Sequence, residues 1–296
     1  MLDSSSSEKI PFNRAFLWIL LSTLLFSGSA LMGWLYYLHI REKRLQDDQY
    51  RIVAIVQRTP QQESLKTSYL AEWLDLSLDQ PINLYQFNTK EAERKLLACP
   101  LIKQATIQKI RPGTLYIQYH MRTPFAYLGD YANTALDTEG YIFPVRPFFT
   151  PKKLPVIHLG VEGLEGKWGS CLIEQERLKL AFQILKSLKA WGEESIYIKQ
   201  IDVADAYADS YGQRQVVIAL EISPEGIPLD ESSRRLFLLR LNTEHYRQNL
   251  ANFFVLRNYL TQWQASKPSQ TQGRLASKPV IIDLRIPHLA FIKKEP

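Results

Sequence analysis

The chain has 296 residues, of which 46% are hydrophobic and 22% charged, and it carries a formal net charge of +6. That length accommodates two modest domains, and that balance excludes a wholly disordered chain, because there is apolar surface enough to bury. Lys and Arg are scattered among acidic neighbours without a long basic block, which favours a solvated basic surface over a nucleic-acid interface and leaves open a weak attraction to anionic lipid or an acidic partner.

From Ala15 to Leu38 the sequence runs without a charge. At about 1.5 Å per residue this is long enough for a helix to cross a hydrocarbon layer about 30 Å thick. Trp34, Tyr36 and Tyr37 gather at the far end and Trp18 near the other, where amphipathic rings suit the headgroup boundary. A cleaved signal peptide is the competing reading, since Gly28-Ser29-Ala30 offers small residues for cleavage, but the apolar run continues well past Ala30 and favours an uncleaved anchor. Charge leaves the orientation open: Lys9 and Arg14 precede the span, whereas Arg41, Lys43 and Arg44 follow it.

A charged connector, 39–49, leads to the β-branched run Arg51–Val56, expected as a first strand ended by Thr59-Pro60. Leu70, Trp73 and Leu74 at helical spacing predict a short helix over 68–74, before Pro81. Asn88 followed three residues later by Glu91 is a capping-box start for a helix carrying Ala92, Leu96 and Leu97. A strand over Ile102–Ile110 follows, then Arg111-Pro112-Gly113 as a turn. Beyond it Leu115, Ile117, Tyr119 and Met121 alternate with polar residues as one face of a half-buried strand. The order strand, helix, helix, strand, strand over 50–122 describes a small α+β layer.

This segment resembles a known family. Leu84-x-x-Phe87, the capped helix, Pro100-Leu101-Ile102, Ala105-x-Ile107, Arg111-Pro112-x-x-Leu115-x-Ile117, Arg122-x-Pro124-x-Ala126 and Asp137-x-x-Gly140-x-x-Phe143 stand in one order behind a single span. Together they are similar to the POTRA domain, and its exit into a β domain, of the FtsQ/DivIB family of bacterial cell-division proteins. The resemblance implies an α+β protein with a cytoplasmic tail (1–14), a transmembrane helix (15–38), a linker (39–49), a POTRA domain (50–122) and an extracytoplasmic β domain (123–296). It places the protein in the inner membrane at the division septum, with the N-terminus in the cytoplasm.

In the second domain, β-rich runs are expected at Phe125–Leu128, Ala135–Phe143 and Val216–Ile222. Helices are expected over 172–191, with Leu178, Phe182, Leu185 and Leu188 on one face, and over 243–263, with Leu250, Phe253, Phe254 and Leu260; core packing is the first reading of both stripes. Polar 264–278 reads as a mobile loop, Val280–Arg285 as a strand and His288–Lys293 as a last strand. The Ile-Asp-Leu-Arg element is again similar to the family's C-terminal end, although Ile286, Pro287 and Leu289 stand where small residues are usual there. Asn242 stands where a glycine often follows Arg-Leu; asparagine suits such a turn and can cap the next helix.

Nothing in the sequence points to catalysis, a metal or a cofactor. His39, His120, His158, His245 and His288 lie far apart, no nucleophile elbow or Walker loop occurs, and Gly166–Ser170 reads as a turn. Asp202, Asp205 and Asp209 read as solvated acids. Cys99 and Cys171 have no metal-ligand spacing; both read as buried small apolar residues, with a bridge between them as the lesser alternative. The resemblance instead implies assembly with other division membrane proteins, FtsB and FtsL and the FtsW/FtsI synthase type, and no nucleic acid or small-molecule substrate. A last strand with one side unpaired can accept a partner strand. The expected contact is Ile286, His288, Ala290 and Phe291 with the helix around Tyr246, Phe253 and Phe254, and a second surface lies near Arg111 and Pro112. The alternative is a POTRA-bearing component of protein translocation or outer-membrane assembly, against which stands the lack of regularly spaced barrel strands after Arg122.

Overall fold

The computed structural model describes residues 12–77, 79–190, 196–222, 235–265 and 279–294. The chain divides into two compact units: Met1–Arg58, Lys66–Lys95 and Thr106–Gln118 form one, and Thr59–Leu65, Leu96–Ala105 and Tyr119–Pro296 the other.

The first unit begins with α1 (Phe12–Gln46), a single unbroken helix. One segment of it is long and apolar enough to cross a membrane. Residues 39–46 of the expected connector continue the helix, because His-Ile-Arg-Glu-Lys-Arg-Leu-Gln holds neither glycine nor proline to stop it. A distant residue receives its end. The Asn83 side-chain amide donates to Arg44 O at 2.9 Å and Leu45 O at 3.0 Å, two of the carbonyls a helix C-terminus leaves unpaired. A one-turn 3-10 helix, Asp48–Tyr50, follows.

β1 (Ala54–Arg58) begins later than the β-branched run predicts, since Arg51 makes only an isolated bridge to Asn83. Then come α2 (Thr67–Trp73) and α3 (Thr89–Ala98), the latter capped as expected by Asn88, whose side-chain oxygen accepts from Lys90 N and Glu91 N. Ala92 and Leu96 are buried, but Leu97 points to solvent. β2 (Ile102–Ile110) and β3 (Thr114–Met121) complete a three-stranded sheet of order β1-β3-β2, with β1 parallel to β3. Leu115, Ile117, Tyr119 and Met121 are all buried, as their alternation requires.

The second unit is built on a nine-stranded mixed sheet of order β12-β11-β10-β9-β8-β7-β4-β5-β6. β4 is Ala126–Leu128, β5 Thr134–Leu136, β6 Ile142–Pro144, β7 Val156–His158, β8 Ile196–Asp202, β9 Val216–Ile222, β10 Arg235–Leu241, β11 Val280–Asp283 and β12 Phe291–Lys294. The β-rich run Ala135–Phe143 is taken up by two strands, β5 and β6. Asp137 accepts from the backbone of Glu139 and Tyr141 at 2.9 Å each, and Gly140 takes φ 82°, so the chain reverses between β5 and β6.

Parallel neighbours need a crossover: α4 (Glu176–Ala190) supplies it between β7 and β8 and α5 (Tyr246–Ala265) between β10 and β11, whereas β5 and β6 lie in the connection between the parallel β4 and β7. Trp191 lies outside the described residues, as does 266–278 of the expected mobile loop. Alternate residues of three strands, Ile218 and Leu220, Phe237 and Leu239, Val280 and Ile282, with Ile201 of β8 and Val203 just past its end, join Leu178, Leu185, Leu250 and Phe253 of the helices in one apolar core. Asn242 caps the approach to α5, accepting from Glu244 N at 2.8 Å. Cys99 is buried but Cys171 is exposed, and no disulfide joins them, so neither the shared burial nor a bridge holds.

Candidate interaction edge

β12 closes one end of the large sheet. It runs antiparallel to β11, with Ile282 opposite Ile292 and Asp283 opposite Phe291. On its other side, among the described residues, its backbone makes no hydrogen bond to another segment. The opposite end of the sheet is treated differently: Ile142 N of β6 donates to Ser170 O at 3.0 Å and Gly169 N donates to Ile142 O at 2.8 Å, so a loop covers that edge.

The turn between β11 and β12 is held at its root. The Arg285 guanidinium grips the Asp283 carboxylate, Nη2 to Oδ2 at 2.8 Å and Nε to Oδ1 at 3.0 Å, while its Nη1 donates to Gly212 O at 3.3 Å. Burial works to raise the Asp283 carboxyl, but the hydrogen bonds from Arg285 outweigh it and hold the group below the ordinary carboxylate range. Beyond this clasp Leu289 N donates to Ile286 O at 3.2 Å, and His288 takes φ 62°. His288 therefore lies in the turn, and the last strand starts at Phe291 rather than at the histidine.

The apolar side chains here face water. Ile286 is 51% exposed, Leu289 53%, Phe291 56% and Ile292 42%, and Ala290 and His288 are exposed beside them. Lys293, an exposed charge of the kind that guards free edges, stands at the far end only. The structure thus brings Ile286, His288, Ala290 and Phe291 together and adds Leu289 and Ile292, which sequence reasoning passed over. Their signal was present in plain view, as large apolar residues beside a strand with no expected neighbour on one side.

The helix residues assigned to the same contact are elsewhere. Tyr246 and Phe253 are core residues: the Tyr246 hydroxyl bonds Gln183 Oε1 of α4 at 3.3 Å, and the Phe253 ring packs 6.0 Å from Phe237 and 5.5 Å from Phe254. Tyr246 and Phe253 are thus buried in this chain, and Phe254 is half-buried. Arg111 and Pro112 are exposed on the β2–β3 turn, with the Arg111 guanidinium 5.8 Å from the Tyr85 ring. His39, His120, His158, His245 and His288 fall on separate segments, and among the described residues no three His, Cys, Asp or Glu side chains are grouped to hold a metal ion. No known protein family and no curated protein matches the chain.

Proposed function

We propose that this chain is a bitopic scaffold of bacterial cell division of the FtsQ/DivIB type, which recruits and regulates septal peptidoglycan synthesis through contacts with FtsB/FtsL and FtsW/FtsI type partners. The observation that carries the reading is the bare β12 edge, whose apolar side chains stand exposed in a chain that begins with a helix able to span a membrane. A partner strand adding there would satisfy the open backbone groups, and Phe291 and Ile292 would gain cover. The N-terminal tail lies in the cytoplasm, α1 crosses the inner membrane, and the rest of the first unit and the whole of the second lie on its far side. The role is assembly, exercised without chemistry of the chain's own.

The strand, helix, helix, strand, strand order with sheet order β1-β3-β2 is compatible with a POTRA domain directly after the anchor, which a translocation or outer-membrane assembly component would carry as well. The second unit is what favours the division scaffold. The large sheet is open, with helices as crossovers, whereas an outer-membrane barrel closes its sheet on itself. Uncleaved anchoring is favoured because the apolar run continues past Gly28-Ser29-Ala30 as far as Leu38.

The test is to tag the full chain, solubilise the membranes of its own cells in detergent, and identify by mass spectrometry what co-purifies. Small bitopic division proteins and the septal synthase pair are the expected companions. Enrichment of translocation-channel or barrel-assembly components in their place would contradict the proposal.

A further inference from the structure

We infer that the first unit carries a basic collar that binds the anionic phospholipid headgroups of the membrane its own helix crosses, an inference that rests on α1 being a spanning helix. The uncharged run ends at Leu38 and α1 continues to Gln46. At about 1.5 Å per residue, Arg41, Lys43 and Arg44 therefore ride roughly 4 to 9 Å beyond the hydrocarbon, within reach of the headgroup layer.

The rest of the collar is fixed at the same level by contacts within the unit. Asn83 holds the carbonyls of Arg44 and Leu45 through its amide and bridges to Arg51 through its backbone. Val53 N donates to Gly113 O at 2.9 Å, which seats the β2–β3 turn beside this point. The guanidiniums of Arg44 and Arg111 then approach one ring, that of Tyr85, at 5.7 Å and 5.8 Å from its centroid. Cations from three separate segments, 41–44, 51 and 111, are so gathered around the foot of the helix, next to exposed Ile110 and Pro112.

The acids nearby are fewer and in part engaged. Asp48 pairs with Arg51 at 2.7 Å, Asp47 accepts from Gln49 N at 3.0 Å, and Glu42 lies on the helix. Among the described residues Arg41, Lys43, Arg44 and Arg111 form no ion pair with a carboxylate. Guanidiniums gathered near one ring without a carboxylate partner leave a local excess of positive charge, which lipid phosphates would meet by charge-assisted hydrogen bonds. The collar also gives a reason for Arg41, Lys43 and Arg44 standing on the far side of the span, where the positive-inside rule disfavours them.

The test uses the full chain carrying Cys171→Ser and Gln108→Cys, labelled with a fluorophore at exposed position 108, since Cys99 is buried. The labelled chain is placed in nanodiscs with spin-labelled headgroups. Quenching about threefold stronger in phosphatidylglycerol discs than in phosphatidylcholine discs is expected, with the preference lost in high salt and in a Lys43→Gln, Arg111→Gln variant. Equal quenching in both lipids, or a preference that survives the double substitution, overturns the collar alone. A chain that does not enter the discs overturns the spanning helix and the collar with it.

Discussion

Arg122→Ala is expected to cost about 3–5 kcal/mol of stability, lowering the thermal midpoint of the full chain in detergent by about 10 °C or more. Arg122 Nη1 meets Asp137 Oδ2 at 2.6 Å with only 12% and 6% of the two side chains exposed, and its guanidinium lies 3.8 Å from the centre of the Tyr141 ring. The other Asp137 oxygen already receives Glu139 N and Tyr141 N. Removing the cation leaves a buried carboxylate without its counter-charge at the turn that joins β5 to β6, which is where the penalty arises. The neighbouring pair of Lys103 and Glu139 spans 2.7 Å but is largely in water, so Lys103→Ala should leave the melt nearly unchanged. A melt insensitive to Arg122→Ala would remove the buried pair from the account.

Phe253→Ala should cost a similar amount, about 3–5 kcal/mol, because a fully buried ring is replaced by a cavity. Its neighbours Phe237 and Phe254 are held by the strand and helix around them and cannot collapse inward without moving the α5 contact with β10. The substitution also separates core from surface. Below its lowered melting point the folded variant should retain as much partner as the parent chain, measured by pull-down normalised to folded protein. Loss of the partner at unchanged stability would put Phe253 back on the interaction surface.

The fold was most legible where a period repeats over many residues. The uncharged run marked α1, the alternation of Leu115, Ile117, Tyr119 and Met121 marked β3, and Asn88 marked the start of α3. It was least legible where a distant residue decides. The end of α1 depends on Asn83, which lies on a loop 39 residues from Arg44. β4, β5, β6 and β7 have three residues each, too few for an alternation to show, and they exist because neighbouring strands pair with them. The α5 stripe of Leu250 and Phe253 was readable as core, and both residues are buried there. At the candidate edge the bare strand was anticipated, whereas the clasp of Asp283 by Arg285 and the exposure of Leu289 and Ile292 depend on how the turn folds back.

The central claim is that the open side of β12 is where partners attach. Full-length chains with Phe291 or with Phe291→Asp, matched in thermal midpoint, should be compared for the division partners they retain from detergent-solubilised membranes. The account predicts at least about a tenfold loss with aspartate, as expected when a central aromatic contact becomes a buried charge. Equal recovery by the two chains would contradict it.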